Sequence, residues 1–436
     1  MENHKASVFA VRGRILTFKD TPWNHRDSYT YLDDGILLIE QSKISKVLPF
    51  TEFQAADQLN KIPVRDTHGS LVLPGFIDTH IHYPQVQVIG SHGKQLLDWL
   101  ESYTFPEEAK FSDKAYADSI ADFFFQELHR NGTTSALCFA TVHPESVNAI
   151  FEKATSYNMQ LACGKVLMDQ HSPSNLQEPF ELGFERSVEL IKAWHHKERL
   201  DYAITPRFAL TSSPEALDSC KKLLAEASDL MVQTHIAENK DEIKAVLNTH
   251  PGHETYLDIY HAYGLVGSRS VFAHCIHFTE HEWNLMNKQG ASIAFCPTSN
   301  TFLGSGLFPI KKAQHYEVKT SLGTDVGGGT SYSMIKTMAE AYKIAQLQEV
   351  TLSAFDLLYL ATLGGATALH KERDIGSLEP GKYADFIVID PASVPALNQR
   401  LKTQTNLEEE LFALITLGDD RVIKQTYIAG QIVAEI

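Results

Sequence analysis

Two histidines, His80 and His82, stand one residue apart in the run Asp78-Thr-His-Ile-His82. Alternate side chains of an extended strand share a face, so both imidazoles can grip a single ion. Three further residues of ligand or proton-transfer type lie at or near the ends of apolar runs. These are His235 in Gln233-Thr-His-Ile-Ala-Glu238, His274 in Val271-Phe-Ala-His-Cys275, and Asp325 in Ser321-Leu-Gly-Thr-Asp325. Taken singly, each reads as a capping or core polar group. Taken together, they bring imidazole and carboxylate to one rim, which suits a mononuclear metal site.

Such convergence needs strands whose ends meet. Apolar runs over 75–82, 133–140, 161–169, 202–208, 231–238, 271–277, 291–297 and 319–325 read as eight strands. Amphipathic patterns over 115–130, 185–195, 214–227, 280–289 and 331–348 read as the helices between them. Eight is the number that closes a parallel barrel, and its chemistry sits at the carboxyl ends of the strands. The expectation is an α/β protein with a (β/α)8 TIM-like barrel. The doubly wound alternative is disfavoured, because no Gly-x-Gly-x-x-Gly turn follows an early strand. Val-, Ile- and Tyr-rich runs at both ends (8–18, 35–50, 382–390 and 421–436) predict a small accessory β-sandwich built from the two termini. The expected division is 1–67 and 376–436 for that composite domain and 68–375 for the barrel.

The 436 residues carry 38 Lys plus Arg against 54 Asp plus Glu, a net charge of −16. A broad phosphate-binding surface would meet repulsion, so neither a nucleic-acid polymer nor an anionic membrane is expected as a partner. No apolar run approaches the ~18 residues that span a bilayer, and the first ten residues lack the apolar core of a signal peptide. The expected location is the cytoplasm. Five widely spaced cysteines without a Cys-x-x-Cys pair fit reduced, buried thiols rather than a zinc ribbon.

The residues at the strand ends also carry a resemblance. The segments Leu73-Pro-Gly-Phe-Ile-Asp-Thr-His-Ile-His-Tyr-Pro-Gln85, Thr205-Pro-Arg-Phe208, Thr234-His-Ile-Ala-Glu-Asn239, His274-Cys-Ile-His277, Pro297-Thr-Ser-Asn300 and Gly323-Thr-Asp-Val-Gly-Gly-Gly-Thr330 span nearly the whole chain. They resemble the amidohydrolase superfamily, and within it the members that deaminate a purine base. The resemblance implies one Zn2+ per chain held by His80, His82, His235 and Asp325, with iron as an alternative that imidazole and carboxylate also accept. It implies hydrolysis of guanine at C2 to xanthine and ammonia by an activated water, and it favours a homodimer. Glu238 is the expected proton shuttle, His274 the residue that orients the water, and Asp325 both ligand and proton acceptor.

Substrate contact is expected from His82, His235, Glu238 and Asp325, together with Arg207, Gln85 and Phe208. Arg207 offers a planar fork of donors of the kind that reads guanine O6 and N7; its plainer role is a salt bridge to an acidic neighbour. Gln85 can donate and accept at another edge, and Phe208 can form a wall. The glycines after Asp325 would let the backbone approach the site, or simply form a flexible loop. Lys165 reads as a solvated lysine at a strand start; as a carboxylated bridge between two metals it would mark a binuclear variant. Hydrolases of other heterocycles, such as triazines, pyrimidines or S-adenosylhomocysteine, and a non-catalytic scaffold are the competing functions.

Overall fold

The structure is a computed structural model that describes residues 8–23, 28–56, 61–92 and 95–435. Expectations for residues 1–7 and for Ile436 lie outside the described residues. Eight parallel strands form the main sheet in chain order: Phe76–His82, Thr133–Phe139, Gln160–Gly164, Leu200–Pro206, Met231–Ile236, Ser270–His274, Ser292–Phe295 and Lys319–Leu322. The last strand returns to the first. The Asp325 amide donates to the His80 carbonyl and the His82 amide to the Val326 carbonyl, each at 2.8 Å. The barrel thus closes beside the residues of interest.

The first two barrel strands are buried along their whole length, as expected where side chains fill the interior and helices cover the outside. The helices begin and end where local chemistry directs. Glu280–Gln289 matches the expected range because Thr279 and Glu282 form a capping box and Gly290 closes the helix in the left-handed region. Lys114–Arg130 starts at Asp113, whose carboxylate accepts the Ala115 and Tyr116 amides. The third barrel strand differs from expectation. It stops at Gly164, passes through Lys165 and resumes as Val166–Leu167 against the fourth strand.

The chain ends build one seven-stranded sheet. Its order is Gln431–Glu435, Ile423–Ile428, Phe386–Ile389, Val64–Pro74, Val8–Phe18, Tyr29–Glu40 and Lys43–Pro49. All neighbours are antiparallel except Val8–Phe18 with Val64–Pro74. An isolated bridge between Lys43 and Tyr383 folds the sheet back on itself around Phe9, Val11, Leu37, Phe386, Val388 and Tyr427. The expected run 35–50 is a hairpin, turned by Gln41 and Ser42 at positive φ. Val64–Pro74 was not expected as a strand: its first six residues are mostly exposed and polar, without apolar alternation. This strand crosses the expected boundary at residues 67 and 68. No helix among the described residues is long and apolar enough to cross a membrane.

Sheet and barrel are tied at the barrel's amino-terminal face by Arg199, which precedes the fourth strand. Its guanidinium pairs in two-pronged fashion with Asp385, Nη1 to Oδ1 at 3.1 Å, and Nη1 also donates to the Asn158 carbonyl at 2.8 Å. Both side chains are buried. Removing one partner strands a charge in a dry site, so Arg199→Ala is expected to lower unfolding free energy by about 3–5 kcal/mol. Urea denaturation measures this; a loss below about 1 kcal/mol would show the pair to be inessential.

Candidate active site

The first strand delivers His80 and His82 on one face, as alternation requires. Its partner across the closure ends at Leu322, and Asp325 follows three residues later, its backbone turning at φ 51. The fifth strand brings His235, and the sixth ends at His274 with φ 74. Non-glycine residues seldom occupy the left-handed region, and such strain collects at functional sites.

His80, His82, His235 and Asp325 present ligand atoms that all lie within 4.8 Å of one another. His82 Nε2 is 3.3 Å from His80 Nε2, 3.1 Å from His235 Nε2 and 3.4 Å from Asp325 Oδ1; His80 Nε2 is 3.3 Å from that same oxygen. Donors about 2.1 Å from one tetrahedral ion stand about 3.4 Å apart, so these spacings fit a shared cation. The tautomers fit as well. His235 Nδ1 lies 2.7 Å from the Arg207 carbonyl, an acceptor, and must carry the proton; Nε2 keeps its lone pair. Burial pushes the imidazoles of His80, His82 and His235 down, that of His82 to about 3. Neutral rings are the ligating form. Burial opposes ionisation of Asp325, yet the neighbouring imidazoles hold its carboxyl well below the usual range. Three neutral nitrogens and one carboxylate oxygen form a candidate metal-binding group.

His274 stands at the edge of this group. Its Nδ1 is 2.9 Å from Asn300 Oδ1, while its buried Nε2 lacks a hydrogen-bond partner among the described residues. Glu238 Oε2 and Asp325 Oδ2 face that nitrogen at 3.5 and 3.9 Å. Burial, reinforced by the Asp325 charge and opposed by the Ser305 hydroxyl, pushes the Glu238 carboxyl up to about 8. The Ser305 hydroxyl donates to Glu238 Oε1 at 2.9 Å. Glu242, also buried, accepts the Glu238 and Asn239 amides and so shapes the turn that aims Glu238 inward. A buried carboxyl held near neutrality, next to a cation site, has the properties of a proton carrier.

A small, partly open pocket joins these groups. His82, Gln85, Arg207, Phe208, His235, Glu238, His274 and Asp325 all line it, and His80, which does not, joins them through the donor cluster, so the structure brings together every residue expected at the site. Leu96, Trp99 and Leu303 complete the apolar walls. Gln85 and Arg207 meet on Glu108, a buried carboxylate that sequence reasoning passed over. Arg207 is therefore both a pocket residue and an ion-pair partner. Asn300, the last residue of Pro297-Thr-Ser-Asn300, and Ser305, which no sequence signal marks, are the other functional neighbours, bonding His274 and Glu238. The glycine loop comes close to the site: a Cβ at Gly327 would meet the Gln85 carbonyl at 2.5 Å, and one at Gly329 the Thr324 carbonyl at 1.9 Å.

One other expectation is overturned. Lys165 is not solvated; it is fully buried, its ammonium paired with Glu178 and donating to the Val166 carbonyl at 3.3 Å. That engagement occupies its ammonium and speaks against a bridging role. A surface trio of His195, His196 and Asp229 also has ligand spacing. There, His195 Nδ1 accepts the Tyr202 amide, so its Nε2 carries the proton that faces Asp229 and has no lone pair for a metal. All five cysteines are free and buried, as expected.

Similarity to known proteins follows the same residues. Guanine deaminase of Escherichia coli K12 is 48% identical over 440 residues, covering 100% of both chains. Guanine deaminase of Rattus norvegicus is 35% identical over 378 residues, covering 84% of this chain and 83% of its own. A solved guanine deaminase from C. acetobutylicum, with guanine bound in its active site, superposes with a TM-score of 0.90 at 32% identity, covering 98% of this chain and 100% of that one. The Amidohydrolase family model matches residues 71–433, a span that contains all four clustered donors, Glu238 and His274; the chain belongs to the amidohydrolase family.

Proposed function

We propose that this chain is a guanine deaminase, converting guanine and water to xanthine and ammonia. One observation carries the reading: a single pocket is lined by three of the four clustered donors, His82, His235 and Asp325, by a buried carboxyl suited to proton transfer, and by the donor-rich pair Arg207 and Gln85. The likeness to guanine deaminases over the full chain supports it. The ligands would be His80, His82, His235 and Asp325, and the ion Zn2+, one per chain. When bound, such an ion supplies a water whose pKa is brought to about 7, a hydroxide source at neutral pH.

The remaining chemistry belongs to the side chains. Arg207, with Nε and Nη2 unbonded by the described residues, offers donors to the O6 and N7 edge of the base, and Phe208 covers one face. Gln85 offers an amide hydrogen to a ring nitrogen. His274 Nε2 and Asp325 Oδ2 face the attacking water and orient it, Asp325 Oδ2 accepting one of its two hydrogens. Glu238 takes a proton from that water and delivers it to the ring nitrogen next to C2, so that C2 becomes tetrahedral. A second proton, moved through the same carboxyl, converts the amino group to a leaving ammonia while the C2 oxygen becomes a carbonyl. Water is the nucleophile, so no covalent bond to the chain forms.

Purified protein incubated with guanine is expected to release ammonia and produce the ultraviolet spectrum of xanthine, with adenine, cytosine and melamine far slower. Faster turnover of any of those three would overturn the substrate assignment. The reading includes a homodimer working in the cytoplasm, with 1–67 and 376–436 as a supporting domain for the 68–375 barrel; sedimentation checks the dimer.

A further inference from the structure

Between the first barrel strand and its helix, the chain makes a series of short helical turns, among them Phe105–Glu108. Glu108 is 1% exposed, the Arg207 it faces 2% and Gln85 2%. Its Oε1 accepts from Gln85 Nε2 at 3.0 Å and from Arg207 Nη1 at 2.9 Å, and its Oε2 from the same Nη1 at 2.6 Å. Gln85 Oε1 accepts the Gly327 amide at 3.2 Å. The Phe105 ring, from the same turn, lies 5.3 Å from the guanidinium carbon.

This arrangement has one consistent hydrogen-bond solution. A carboxylate only accepts and a backbone amide only donates. Gln85 must therefore turn its nitrogen to Glu108 and its oxygen to Gly327, leaving its second amide hydrogen for a ligand. Arg207 is held through one terminal nitrogen, and its Nε and Nη2 stay aimed elsewhere. The pair is also neutral, so Arg207 contributes donors without adding a net positive charge to a site that also holds a cation.

We propose that Glu108 is the positioning residue for base recognition, fixing Arg207 as reader of the base's carbonyl edge and Gln85 as a donor. It touches neither substrate nor reacting atoms in this role. The inference rests on the proposed guanine deamination. Glutamine at this position could not fully replace it: with its oxygen in the Oε1 place it would keep the Gln85 bond and the longer Arg207 bond, but its nitrogen would stand donor against donor to Nη1 where Oε2 now accepts at 2.6 Å, and the negative charge would be gone. The hold on Arg207 would loosen.

The test compares wild type with Glu108→Gln in kcat/KM for guanine, in metal content, and in inhibition by hypoxanthine and purine, which differ in the C6 oxygen. Wild type should bind hypoxanthine more tightly than purine. In Glu108→Gln, kcat/KM should fall by roughly 10²-fold, the scale of a substrate misplaced by about an ångström. The preference for hypoxanthine should shrink towards unity while metal content holds. A retained preference, whether activity is intact or uniformly reduced, overturns the positioning role. If Glu108→Gln does not fold, Glu108→Asp, which keeps the charge but draws it back by a methylene, is read the same way: a reduced preference supports the role and an unchanged one refutes it. Wild type inert towards guanine would instead refute the proposed function itself, and this inference with it.

Discussion

Replacing Glu238 with glutamine should silence turnover while leaving the metal in place. The substitution keeps the shape of the side chain and a carbonyl-type oxygen able to accept the Ser305 hydroxyl that now bonds Oε1. It removes the capacity to take up and release a proton. Glu238 lies two residues beyond the fifth strand's end and is absent from the four-donor group, so ligation should not suffer. Loss of a positioned acid or base costs typically 10²–10⁴-fold, and here one carboxyl serves two transfers. The expected result is a kcat lower by roughly 10³-fold or more, with metal content by atomic absorption and the melting temperature within error of wild type. A variant retaining a tenth of wild-type kcat would remove Glu238 from the mechanism. One that lost the ion would make it a ligand.

How far the residues announce themselves in one dimension differs from site to site. His80 and His82 are recognisable because strand alternation is a local rule, and Asp325 and His235 because they follow apolar runs. Glu238 is found through its spacing from His235. Glu108 sits in an acidic Pro106-Glu-Glu108 stretch that has every mark of a solvated turn, and what buries it is Arg207, 99 residues away. Lys165 fails in the opposite direction: its lysine type argues for solvent, yet Glu178 and the break in the third strand hold it inside. The barrel is apparent because each strand is a short apolar run, whereas Val64–Pro74 is hidden because half of it lies exposed on the accessory sheet. Periodicity reports burial face by face. It says nothing about which distant charge will satisfy a buried one.

The second large effect is expected at Asp325. Among the four clustered donors it is the one anion, and its Oδ1 lies within 3.4 Å of both first-strand imidazoles. Asp325→Ala leaves three neutral nitrogens, less able to balance a divalent charge in a buried place. Loss of a residue that merely supports a ligand weakens metal binding by roughly 10–100-fold, so loss of the ligand itself should exceed that. Wild type treated with a chelator should lose turnover and recover it on addition of Zn2+, and Asp325→Ala should not recover. Stability provides a readout independent of catalysis. An ion that binds the folded state alone stabilises it by about 2.7 kcal/mol at a hundredfold excess over Kd. Adding Zn2+ to the stripped wild type should therefore raise its melting temperature, while the variant's should stay put. Activity that survived full removal of the ion, with no melting shift on its return, would show that these four side chains cluster for some purpose other than holding a metal.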